Sequence, residues 1–131
     1  MQAYRKREYE AALGHYTAAI KLDSSNIAAR NNRAMAYLAL NMYQEAAADT
    51  AAVLEADPTN VKALLRQAAA HEGMGDMQAA AADCKRVLEL EPKNQDAQQR
   101  LARVQQQLGG SEQQQQQQPE FPPPPPEPQQ V

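Results

Sequence analysis

The sequence has no tryptophan, a single phenylalanine (Phe121) and five tyrosines in 131 residues. A core built on large aromatic rings is therefore excluded. Cysteine is nearly absent as well: Cys84 stands alone, which rules out an intramolecular disulfide and a cysteine-rich zinc site and fits a reducing compartment. An excess of one charge is lacking too. Thirteen basic and sixteen acidic side chains give a formal net charge of −3, and the excess acids are Glu112, Glu120 and Glu127, all beyond residue 108. The neutral body excludes broad electrostatic capture of nucleic acid or of an anionic membrane. No apolar run approaches the ~18 residues of a membrane span, and the opening Met-Gln-Ala-Tyr-Arg-Lys-Arg has no apolar signal core behind its charges. A soluble, intracellular, cytoplasmic protein of one domain is expected, with no membrane or nucleic-acid partner.

Alanine is what the chain has in abundance, 26 residues. Composition breaks near Gly109-Gly110, after which residues 113–118 are all Gln, 122–126 are all Pro, and seven of the nine prolines fall in the last thirteen positions. Such a segment buries too little surface to offset its ordering entropy, so 109–131 is expected to be disordered with a local polyproline II stretch.

Before that break the sequence repeats at a shift of 34 residues. Tyr9, Tyr43 and Met77 align, as do Ala12, Ala46 and Ala80; Ala19, Val53 and Val87; Ile20, Leu54 and Leu88; Asp23, Asp57 and Glu91; Ser24, Pro58 and Pro92; and Asn26, Asn60 and Asn94. Each period holds two segments of helical apolar spacing, the second ending in Asp-Pro-Thr-Asn, Glu-Pro-Lys-Asn or Asp-Ser-Ser-Asn, where proline stops propagation and a new helix starts just after. Small residues, Ala34 and Ala68, stand where close helix packing needs them.

In period, turns and small residues the chain resembles the tetratricopeptide repeats from its first residue to about Asn94. The resemblance implies an all-α fold, a right-handed superhelical solenoid of helix–turn–helix repeats. First helices are expected at 27–40 and 61–73, and second helices at 9–22, 43–56 and 77–90. A capping helix at 95–108 would carry Ala97, Leu101, Val104 and Leu108 on its buried stripe. The organisation is then a partial repeat (1–26), two complete repeats (27–60 and 61–94), the cap (95–108) and the tail (109–131). The first repeat lacks most of its first helix, with only a last turn or two expected around residues 1–6.

Catalytic constellations are poor. His15 shares a column with Asp49 and Asp83 and reads as a surface residue; His71 shares one with Tyr37 and reads as a partly buried packing residue. Cys84 falls in the packing column of Tyr16 and Thr50, where a small buried thiol suffices. A Cys84–His71 nucleophilic pair would need a third, orienting group that nothing supplies. No metal-ligand spacing or nucleotide-binding motif occurs, and Gly73-x-Gly75 reads as a turn. The expectation is a non-enzyme with no cofactor, no metal and no small-molecule substrate.

Charge is divided between the two kinds of helix. Arg30, Arg33, Lys62 and Arg66 lie on first helices, whose one acid is Glu72, while Glu45, Asp49, Glu55, Asp57, Asp83, Glu89 and Glu91 lie on or just after second helices. First helices line the concave surface in the family resembled, so a locally positive groove is implied. Lys62 and Arg66, four apart, share one helix face and can converge on one anion. Asn32 holds the column of Arg66 one repeat earlier.

Asn32-Arg33-Ala34-Met35-Ala36-Tyr37 and Asn60-Val61-Lys62-Ala63-Leu64-Leu65-Arg66 resemble the second and third repeats of the carboxylate-clamp co-chaperones. Those domains hold the acidic Glu-Glu-Val-Asp carboxyl termini of the seventy- and ninety-kilodalton heat-shock chaperones. By column, Asn32, Lys62 and Arg66 match three of the five clamp side chains. The first-repeat Asn would fall at Met1 and its Lys before the sequence given, so the expectation is either a clamp that binds weakly without this pair or a longer form of the protein that supplies it. At roughly 1.5 kcal/mol for each lost charge-assisted contact, affinity falls on the order of a hundredfold. The resemblance further implies that Ala28, Asn31, Met35, Leu38, Leu65 and Ala69 contact the peptide upstream of its carboxylate. Two other readings stay open: Lys62 and Arg66 as a solvated helix face, and a general scaffold whose groove takes an internal client segment. The five prolines beside Phe121 fit polyproline-binding domains.

Overall fold

The computed structural model describes residues 2–117. These residues form six α-helices: α1 (Gln2–Leu22), α2 (Ile27–Ala39), α3 (Tyr43–Ala56), α4 (Val61–Gly73), α5 (Met77–Leu90) and α6 (Gln95–Gln117). Among the described residues there is no strand. Each helix packs on the next, α2 also touches α4, and α4 also touches α6. The even-numbered helices therefore make one layer and the odd-numbered helices the other, as expected of an all-α solenoid.

The repeated asparagines explain where the even helices begin. Asn26, Asn60 and Asn94 each accept a hydrogen bond from the backbone N–H three residues on, at Ala29 (2.9 Å), Ala63 (3.0 Å) and Ala97 (2.9 Å). Each bond satisfies an amide that has no partner inside its helix, an arrangement worth ~1 kcal/mol per helix. The amides of Asp57 and Glu91 close the preceding helices onto Val53 and Val87, at 2.7 and 2.6 Å. Sequence columns thus correspond to repeated backbone geometry.

Alanine lets the layers approach. Ala34, Ala46, Ala63, Ala68, Ala70, Ala80 and Ala97 are wholly buried, so the core is made of many small contacts, with Val53, Val87 and Val104 as its largest fully enclosed apolar side chains and Leu64 and Ile20 buried at its margins. Gly73 belongs to this packing. A Cβ there would collide with the ring of Tyr43, so this glycine shapes a helix contact as well as preceding a turn.

The two ends depart from expectation. A separate helix at residues 1–6 and another from residue 9 were expected, yet α1 runs unbroken from Gln2 to Leu22. The equivalent turns inside the solenoid pass through Asn41 (φ 60°) and Gly75 (φ 82°). The same column here holds Arg7, a residue that disfavours left-handed backbone and favours helix, so no turn forms. At the other end α6 continues through Gly109 to Gln117, whereas the cap was expected to stop at 108 and disorder to start at 109. A helix already nucleated propagates one hydrogen bond per residue, and Gln and Glu are good helix formers. The polyproline stretch, and the disorder expected from 118 onward, lie outside the described residues.

Ala97, Leu101, Val104 and Leu108 do form the inner stripe of α6: Ala97 and Val104 are fully buried, while Leu101 and Leu108 pack beside them. Among the described residues no helix is long and apolar enough to cross a membrane.

Candidate functional site

Of the four cations on α2 and α4, the fold engages two and leaves two. Arg33 forks onto Asp49 of α3, with Nε 2.8 Å from Oδ2 and Nη2 2.7 Å from Oδ1, and its Nη1 donates to Thr17 Oγ1 at 3.2 Å. Asp49 is only 3% exposed, and this bidentate contact, with burial opposing it, pushes the Arg33 pKa up. Arg30 joins the same carboxylate at 3.8 Å and donates to the Ser24 carbonyl at 3.2 Å. Neither is among the residues lining the groove between α2 and α4. The expectation that both would make that groove positive is corrected accordingly, because a buried acid needs a partner and Asp49 faces them.

Lys62 and Arg66 are the pair left. They line a hollow of about 240 Å³ together with Met35, Leu38, Leu65 and Ala69, and with Asp96 and Arg100 from α6. Among the described residues no carboxylate lies within ion-pair distance of Lys62 or Arg66. Arg66 donates weakly, from Nη1 to the Lys62 carbonyl and from Nη2 to the Met35 sulfur, each at 3.4 Å. Its Nε is enclosed with no partner, and burial pulls its pKa down from the ordinary arginine value. A guanidinium so placed favours an anion that would restore its missing hydrogen bonds.

Asn32 does not share that hollow. It lines a neighbouring one of about 170 Å³ with Glu8, Tyr9, Ala12, Tyr16, Met35 and Ala36. Met35 borders both. Of the expected groove residues, Met35, Leu38, Leu65 and Ala69 come together, while Ala28 is exposed near the start of α2. Asn31 is a correction: it is 5% exposed and its Nδ2 donates to Asn60 Oδ1 at 3.3 Å. That contact joins α2 to the cap of α4 and removes Asn31 from the groove.

Sequence reasoning missed Asp96 and Arg100, which reach the hollow from the capping helix. The signal was in the 34-residue register, which places Asp96 one period after Lys62 and Arg100 one period after Arg66. A larger concavity, about 520 Å³, lies between the start of α1 and the end of α2, lined by Arg5, Lys6, Tyr9, Ala39, Leu40 and Asn41. It contains none of the expected binding residues.

The orienting group that was expected to be missing beside His71 is present, as Asp83, yet Cys84 makes no side-chain hydrogen bond among the described residues and is poorly suited to attack. His71 Nδ1 lies 2.7 Å from Asp83 Oδ2, linking α4 to α5, and Cys84 is fully buried with its thiol pushed up to about 11, mainly by that burial. A thiol at that value stays protonated near neutrality and is a poor nucleophile. His15 is exposed. Among the described residues no group of three or more His, Cys, Asp or Glu is placed to hold a metal ion.

Models of the tetratricopeptide repeat match residues 2–61 and 71–113, and the solved tetratricopeptide domain of Arabidopsis OM64 superposes with a TM-score of 0.75 at 37% identity, over 80% of this chain and 87% of that one. The chain belongs to the tetratricopeptide repeat family. The second such domain of human RPAP3, solved in complex with the HSP70 peptide SGPTIEEVD, matches with a TM-score of 0.72 at 34% identity, over 78% of this chain and 85% of that one. Among curated proteins, Hsp70-Hsp90 organizing protein 1 of Glycine max is 38% identical over 47 residues. That match covers 36% of this chain and 8% of the relative's length, so it concerns one small part of a longer protein.

Proposed function

We propose that this tetratricopeptide domain is a cytoplasmic, non-catalytic adaptor that binds the acidic C-terminal peptides of heat-shock chaperones. Lys62 and Arg66 grip carboxylate oxygens, Asn32 donates from the neighbouring hollow, and Met35, Leu38, Leu65 and Ala69 receive apolar side chains upstream. The observation that carries this reading is the state of Lys62 and Arg66: two cations one helical turn apart on α4, with no carboxylate at ion-pair distance among the described residues, bordering a hollow whose apolar lining is Met35, Leu38, Leu65 and Ala69. In the same layer Arg33 is fully engaged by Asp49. A charged peptide end supplies what the groove lacks, several acceptor lone pairs and negative charge at one point. The similarity to a domain solved with an HSP70 peptide ending in Glu-Glu-Val-Asp supports the same ligand class.

The test is titration calorimetry with a Glu-Glu-Val-Asp-ending peptide, its C-terminally amidated form, and the Lys62→Ala and Arg66→Ala variants. Binding by the wild type is expected, weakened about tenfold or more by amidation and by either substitution. A folded, helical wild type that does not bind would overturn the reading. Binding indifferent to amidation would transfer the groove to internal segments of a client.

A further inference from the structure

We infer that Arg100, brought into the groove by the capping helix, is a further ligand-binding residue that takes a side-chain carboxylate of the acidic peptide beside the terminal one held by Lys62 and Arg66. The inference rests on the carboxylate reading of the groove and adds a donor from outside the repeats.

The first support is an inventory of bonds. Glu72, at the end of α4, is forked by Arg103, whose Nε lies 2.7 Å from Oε2 and whose Nη2 lies 2.9 Å from Oε1. Arg100 adds only its Nη1, 2.8 Å from Oε1. Its Nη2 stands 3.7 Å from Asp96 Oδ1, too far for a hydrogen bond, and its Nε is enclosed with no partner. One guanidinium edge thus anchors α6 while the other nitrogens are under-used, as they are at Arg66.

The second support is charge. Lys62, Arg66, Arg100 and Arg103 meet Glu72 and Asp96 at this corner of the fold, leaving two positive charges uncompensated by the described residues. Arg100 is 19% exposed and lines the same hollow as Lys62 and Arg66, but it comes from a different helix. Arg100 therefore adds a positive group from a second helix to the hollow that Lys62 and Arg66 border, and a short peptide carrying more than one carboxylate can engage both helices at once. Asp96, 60% exposed at the first turn of α6, sits in the hollow as a like charge that an acidic ligand meets on the way to Arg100.

Calorimetry with the Glu-Glu-Val-Asp peptide and with a Gln-Gln-Val-Asn peptide, which keeps only its terminal carboxylate, tests this. For the acidic peptide Arg100→Ala is expected to weaken binding about tenfold, Arg100→Lys to recover part of that, and Asp96→Asn to tighten binding a few-fold. For the Gln-Gln-Val-Asn peptide Arg100→Ala is expected to change nothing. Arg103→Ala, which cuts the same anchor to Glu72 without touching the hollow, reports any purely structural effect, and thermal melts confirm that each variant folds. A wild type that binds in a Lys62-dependent way while Arg100→Ala binds equally well, or loses no more than Arg103→Ala, overturns the inference and leaves the groove reading standing. A folded wild type that binds neither peptide overturns both.

Discussion

The two ends of this solenoid are built from related sequence and have opposite fates. At the C-terminal end α6 covers the last repeat: Ala80 and Cys84 of α5 are fully buried, and Leu90 packs against the cluster of Leu64, Val87 and Ala97. At the N-terminal end Ala12 and Tyr16 of α1 hold the same columns and are only half-buried, and Leu22, in the column of Leu90, is 90% exposed. A column therefore specifies which way a side chain faces, while the neighbouring helix decides whether it is buried. Ion pairing follows the same division, since Glu72 ties α4 to α6 through two arginines.

The sharpest way to break this comparison is to place one charge in one column at both ends. Ala80→Asp puts an unpaired carboxylate in a site with no solvent access and is expected to cost about 4 kcal/mol or more, enough to unfold the domain. Ala12→Asp is expected to cost about 1 kcal/mol or less, because water reaches that face. Urea titrations followed by circular dichroism measure both, and equal losses would mean that the N-terminal face is as closed as the other.

A smaller effect is expected at the anchor of the cap. Glu72→Gln leaves Arg100 and Arg103 without their carboxylate and should lower stability by about 1–3 kcal/mol. The wild type carries a pH signature of the same contact. Arg103, with help from Arg100, holds the Glu72 carboxyl below its ordinary value of 4.5. A carboxyl depressed in the folded state contributes its stability above the unfolded value and loses it as pH falls through the folded one. Thermal stability should therefore drop below about pH 4.5, and the drop should be shallower in Glu72→Gln; identical pH profiles would remove Glu72 from the anchor.

The smallest effect concerns the missing turn. Arg7→Gly restores to α1 the residue type found at Gly75 and should cost the long helix about 1 kcal/mol, seen as faster amide exchange confined to residues 2–8. Unchanged exchange would show that something other than residue 7 keeps α1 straight.

Much of the fold was legible because repetition made each local signal recur. Asn26, Asn60 and Asn94 announce three helix starts, and the alanine columns announce the packed faces. The continuity of α1 was legible too, had Arg7 been compared with Asn41 and Gly75. The extension of α6 was harder to see, since a Gln run preceded by two glycines is compatible with coil until a packed helix supplies the nucleus.

The candidate site was legible only in outline. Lys62 and Arg66 could be paired by their spacing, whereas Met35, Leu38, Leu65 and Ala69 followed only from the family resemblance. Asn31 and Asn32 are adjacent, and nothing local says that Asn31 turns to Asn60. By itself the sequence determined the period, the helix caps, the small-residue columns and the neutrality of the body, because the caps depend on neighbours within a turn and the rest on composition and on comparison of one repeat with the next. Only the tertiary structure decided which cations remain for a ligand. Arg33 is engaged because Asp49 of α3 folds against it, a contact that no spacing announces; the repeat register places Arg100 one period after Arg66, but only the packing of α6 ties it to Glu72 and brings it to the same hollow.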